Sequence, residues 1–231
     1  MANLKTHAAA LAVLVPFVSI IGGGAIAETD PAKGADYTAM TPEQLADYLI
    51  FDANGFVLDA KTQEGGVSRD RMIQDEIQKI CSASKDAPLD SETQAKVIGL
   101  AQASIVYPED GIKLGDWKKG NEVARSGYGF RIGHRVDDHS KEAPGGNCYA
   151  CHEMDPQEFT FGTVGLSLKN YGKLRGTSEQ ILKYTYDMIY NAHAYFPCTR
   201  MPRFGSNGVL TQEQIRDVMA YLLDPESPVN Q

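Results

Sequence analysis

Cys148-Tyr149-Ala150-Cys151-His152 is the stretch on which the reading of this chain turns. Two thiols three positions apart can each add to one vinyl group of a haem while the imidazole of the next residue rises to the iron from the same side, so the spacing is that of covalent haem c attachment. With 4 cysteines and 5 histidines in 231 residues, chance supplies this pattern only about 0.0015 times. Three other readings compete. A zinc site needs a second ligand pair, and Cys81 and Cys198 stand alone in the chain. A redox dithiol of the thioredoxin kind sits at the end of a strand, and no strand-like alternation of useful length occurs. A short Cys148–Cys151 disulfide would leave the adjoining His152 without a role.

A haem held this way takes a second axial ligand from the other face. Met154 is too near the motif to cross over, and Met188 and Met219 lie on apolar helix stripes where methionine is usually core. Met201, in Cys198-Thr199-Arg200-Met201-Pro202-Arg203-Phe204-Gly205, occupies a loop that can curl over a haem edge. His193 is the alternative, giving a bis-histidine iron; its structural reading is an exposed histidine at a helix end. Met201 is the favoured ligand, and a thioether there raises the reduction potential relative to a second imidazole. With both axial positions filled by protein the iron passes electrons and has no open site for a substrate.

Lys5, the apolar run Ala8 to Ile21 and the small residues up to Ala25-Ile26-Ala27 have the order of a secretory signal, with cleavage expected after Ala27. About 14 apolar residues broken by Pro16 fall short of the roughly 20 that a spanning helix needs, so no membrane insertion is expected. The compartment is therefore oxidising, a periplasm. Removing Lys5 takes the formal net charge from −8 to −9. That surface repels phosphate backbones and excludes nucleic acid as a partner. Lys118, Lys119, Arg200 and Arg203 read as solvated surface charges.

Capping signals and 3.6-residue periodicity place the helices. Thr41-Pro42-Glu43-Gln44 opens one; a second runs from about Ser68 with Ile73, Ile77, Ile80 and Cys81 on one face; a third starts at Ser91 and carries Val97, Ile98, Ala101 and Ile105 up to Pro108. Gly115 to Ala124 predicts a short helix, Ser126 to Gly146 a loop. Thr177-Ser178-Glu179-Gln180 and Thr211-Gln212-Glu213-Gln214 open two more helices, the last with Ile215, Val218, Met219 and Leu222 in register and an end before Pro225. The expected organisation is a signal peptide over 1–27, a helical N-terminal extension over 28–112 and a haem domain over 113–231.

The motif, the run Gly162-Thr163-Val164-Gly165-Leu166-Ser167-Leu168, a Met-Pro loop and a final amphipathic helix resemble the class I cytochrome c domain. Members of that class usually have Pro where Leu166 stands, and the loop carbonyl there accepts a hydrogen bond from the ligating histidine. Because that acceptor is backbone, Leu can keep it. Tyr171-Gly172-Lys173-Leu174-Arg175-Gly176, Ile189-Tyr190-Asn191-Ala192, Cys198-x-x-Met201-Pro202-Arg203-Phe204-Gly205 and Leu223-Asp224-Pro225-Glu226-Ser227-Pro228-Val229-Asn230 further resemble SoxX, the monohaem subunits of the SoxAX cytochromes of bacterial sulfur oxidation. The resemblance implies a mainly α protein, with a class I cytochrome c-like haem domain behind an N-terminal helical extension, and one covalent haem c. It implies a SoxA-type cytochrome subunit as heterodimer partner, whose haem site joins thiosulfate to a cysteine of the carrier SoxYZ, an L-cysteine S-thiosulfotransferase type of activity. This chain would accept the electrons and pass them to a downstream acceptor cytochrome. A free-standing electron shuttle is the alternative, and a haem sensor or peroxidase would need an open iron position.

Cys81 and Cys198 remain after haem attachment, and an exported chain with an even leftover pair is expected to join them. Such a bridge would tie the N-terminal helices to the Met201 loop.

Overall fold

In the computed structural model, residues 35–62, 65–130 and 138–231 are described; the expected signal over 1–27 and part of the loop over 126–146 lie outside them. Most helix starts follow side-chain caps. Thr41 begins α1 (Pro42–Asp47) with the expected capping box, its hydroxyl accepting from the Gln44 amide while the Gln44 side chain accepts from the Thr41 amide. A π-helical turn, Tyr48–Asp52, follows directly. The chain then divides, between Asn54 and Gly55, into two compact units, and the boundary expected at 112/113 falls inside the second.

The single helix expected from Ser68 is two: α2 (Ser68–Met72) and α3 (Glu76–Ser84). Asp75 causes the break. Its carboxylate accepts from the Gln78 amide at 2.8 Å while the Gln78 side chain accepts from the Asp75 amide at 2.9 Å, a capping box that starts a new helix and leaves Ile73 outside, 55% exposed. Ile77, Ile80 and Cys81 then face Val97 and Ala101 of α4 (Ser91–Ala103) and Ala194, a small core of their own.

The main core is built by α5 (Trp117–Arg125), α6 (Tyr171–Arg175), α7 (Glu179–Asn191) and α8 (Gln212–Leu223). Ile215, Val218, Met219 and Leu222, the stripe predicted on α8, are all buried, as are Tyr186 and Ile189 of α7. Where α5 meets α8 a Cβ on Gly120 would lie 1.9 Å from the Asp217 carbonyl oxygen, so only glycine permits the approach. Before Pro225, Asp224 turns extended and α8 stops. The chain then folds back: the Asn230 side chain accepts from the Gly172 and Lys173 amides and donates to the Leu222 and Asp224 carbonyls, fastening α6 to the end of α8. The fold is mainly α, with no strand beyond one isolated Lys61–Val67 bridge among the described residues. No helix among them is long and apolar enough to cross a membrane.

Candidate functional site

Asn147, at φ 47°, turns the chain into the 3₁₀ turn Cys148–Ala150, and the Cys151 and His152 amides both donate to the Cys148 carbonyl, at 3.1 and 2.9 Å. The following loop lies along this segment through three backbone bonds: Gly162 to Tyr149, Gly165 to Cys151 and Leu168 to Glu153, at 2.7–2.8 Å. Its close approach depends on glycine, because a Cβ on Gly162 would sit 1.8 Å from the Ala150 oxygen and one on Gly165 would sit 2.3 Å from the His152 ring. The same loop delivers the Leu166 carbonyl to His152, whose Nδ1 lies 2.7 Å from it. A carbonyl only accepts, so Nδ1 carries the proton and Nε2 the lone pair; that is the tautomer and orientation a metal-ligating histidine needs.

Cys148 and Cys151 are not joined to each other. Burial pushes the Cys148 thiol up to about 12, the opposite of the depressed value of a redox-active dithiol. Among the described residues no three His, Cys, Asp or Glu side chains gather as a metal-binding group. Between the two thiols, Tyr149 is buried and anchors the turn. Its hydroxyl lies 2.6 Å from that of Tyr221 on α8 and accepts from the Asp155 amide, and the Arg125 guanidinium lies 4.5 Å from its ring centroid. Arg125 is in turn paired with Asp155 and Glu158. Sequence reading passed over Tyr149 because the middle positions of C-x-x-C-H carry no chemistry of their own; Arg125 and Tyr221 are distant in sequence and signalled nothing.

Met201 is partly buried and packs against the main core, as Cys148 does. Met154 and Met219 are core residues, and Met188 is half-buried on α7. His193 is not an exposed helix-end residue: it is 8% exposed, and its Nδ1 accepts from the Cys198 amide at 3.1 Å. Burial first, then the nearby Arg203, hold it below the usual histidine range, with Asp75 opposing. Arg203 likewise departs from its expectation as surface charge, since its side chain is 9% exposed and its guanidinium pairs with Asp75 at 2.7 Å. Lys118, Lys119 and Arg200 are exposed. Cys81 and Cys198 form a disulfide, with their Cα atoms 5.3 Å apart.

These residues fit a covalently held haem: two unpaired thiols, an imidazole fixed with Nε2 as its ligating nitrogen, and Val164 and Leu166, 73% and 84% exposed, standing as apolar side chains on the loop that grips that imidazole. No family model matches the chain. A protein of Aquifex aeolicus (strain VF5) bearing the name "Uncharacterized lipoprotein" is 42% identical over 157 residues, which span 68% of this chain and 73% of that protein. Among solved structures, the crystal structure of SoxXA from P. pantotrophus is similar at 20% identity and a TM-score of 0.36, over 55% of this chain and 91% of that one.

Proposed function

This chain belongs to the family of the Aquifex aeolicus lipoprotein, and from that premise we propose that it is an exported monohaem c-type cytochrome, its haem attached to Cys148 and Cys151 and its iron ligated by His152 and Met201. The observation that carries the reading is the Nδ1–carbonyl bond from His152 to Leu166, set beside two unpaired thiols. When bound, the haem supplies a one-electron couple. The protein's part is to hold and shield. Cys148 and Cys151 are the thiols that would hold the haem covalently, one through each vinyl group. Leu166 fixes the tautomer of His152, the Tyr149–Tyr221 pair anchors the turn between the thiols, and Met201 would supply the second iron ligand, leaving the iron to carry electrons.

Within that function the chain is the electron-accepting subunit of a SoxAX-type, thiosulfate-oxidising complex in the periplasm, with a SoxA-type cytochrome as partner. The C-terminal motifs, Cys198-x-x-Met201-Pro202-Arg203-Phe204-Gly205 above all, support this finer reading. Haem should stay with the polypeptide in acidified organic solvent, and the Cys148→Ser/Cys151→Ser double variant should lose it; complete extraction from the wild type sinks the covalent claim. Purification from the native source should yield a stable pair of cytochromes, whereas a monodisperse single chain would favour a free electron shuttle.

A further inference from the structure

The Met201 loop is fastened on both sides of the methionine to one helix. Three residues before it, Cys198 is bonded to Cys81 on α3. Two residues after it, the buried Arg203 is paired with Asp75, the residue that caps the start of the same helix. A third pair, Arg200 with Asp86, is exposed on both sides and holds little. Asp75 and Cys81 are six residues apart, so along the helix they are separated by roughly 9 Å. The loop from Cys198 to Arg203 has a contour of about 17 Å. The two anchors bracket Met201, which lies between them in the sequence and packs against the core that Cys148 also borders.

We propose that α3 is the positioning element for Met201, with Asp75 and Arg203 as positioning residues that act together with the disulfide. The proposal rests on the cytochrome reading for its consequence at the iron, though the clamp itself can be tested without it. Asp75 serves twice, as helix cap and as ion-pair partner; although burial opposes its ionisation, the Gln78 amide and Arg203 hold it below the usual carboxylate range. These duties separate chemically. Asn caps a helix as well as Asp but carries no charge, so Asp75→Asn keeps α3 and removes the attraction for Arg203.

The test uses the full chain with its haem. In Asp75→Asn, amide exchange at Gly205 and Ser206, whose N–H groups donate to the Tyr190 carbonyl, should accelerate about tenfold, while Met219 in α8 stays at the wild-type rate. The near-infrared sulfur-to-iron band should vanish at a temperature roughly 5 °C lower. Cys81→Ser should do the same by the other anchor, which keeps the proposal testable if the first variant folds poorly. Wild-type exchange and wild-type band loss in either variant would overturn the clamp. A wild-type protein without the band would refute Met201 ligation, and the exchange rates at Gly205 and Ser206 would still decide whether α3 holds the loop.

Discussion

The loop that grips His152 and the loop that carries Met201 draw their support from different distances along the chain. Gly162, Gly165 and Leu168 hold the first against Tyr149, Cys151 and Glu153, all within about 20 positions. The second is fastened to Cys81, 117 residues earlier, and to Asp75, farther back still. Short closures cost little chain entropy, so the His152 side can form from its own segment once α5 and α8 supply a floor. The Met201 side draws two of its anchors from α3. A cross-link over 117 residues stabilises the fold by about 4–5 kcal/mol in the chain-entropy model, an upper figure that strain and residual structure reduce. One side of the site is therefore local and stiff, and the other is held from outside.

The comparison breaks most sharply at Gly165. Gly165→Ala drives a methyl group into the imidazole, costs about 2–3 kcal/mol by overpacking and pulls His152 away from the Leu166 carbonyl. Its spectrum should lose the low-spin, histidine-ligated form. Leu166→Pro, which keeps the backbone acceptor, should retain it. A Gly165→Ala protein with an unchanged spectrum and melting temperature would show that the loop does not grip the ring.

A smaller effect sharpens the same side. Tyr221→Phe removes the buried partner of the Tyr149 hydroxyl, which keeps the Asp155 amide as a donor. The expected loss is about 1 kcal/mol, read by denaturant unfolding, with exchange at Gly205 and Ser206 unaltered relative to the rest of the chain. If those two amides responded as strongly as the motif turn, the two sides would not be independent.

How much of this was legible depends on the same distances. The motif, the α8 stripe with its capping box, and the backbone role of Leu166 are signals within one segment, and the structure shows the stripe buried and the Leu166 carbonyl bonded to His152. Asp75 is where periodicity misled. Ile73 and Ile77 share a helical spacing, but Asp75-Glu76-Ile77-Gln78 is itself a capping box, and a cap between two in-register apolar residues outranked the register. Arg203 reads as a surface charge and His193, where it is not an iron ligand, as an exposed residue at a helix end; Arg203 is instead paired with Asp75, far away in sequence, and His193 is buried. The pairing of Cys81 with Cys198 was readable only as the leftover of a count, and Tyr149 with Tyr221 not at all, since neither residue type announces its partner.

The last and smallest effect concerns pH beside the Met201 loop. His193 accepts from the Cys198 amide through Nδ1, so its proton sits on Nε2 and the ring is neutral. Burial, and then Arg203, lower its folded pKa, while Asp75 pulls the other way. The unfolded value is about 6.5, so between the two values the unfolded chain binds more proton than the folded one. The contribution of His193 is thus complete above about pH 6.5 and declines as pH falls toward the folded value. Asn keeps a side-chain oxygen near the position of Nδ1 and does not titrate, which makes His193→Asn the informative variant. Between about pH 7 and pH 5, the wild-type melting temperature should fall more steeply than that of His193→Asn, with the excess loss appearing first in exchange at Gly205 and Ser206. Parallel curves would mean that His193 titrates alike in both states; a steeper curve for the variant would reverse the sign of the argument.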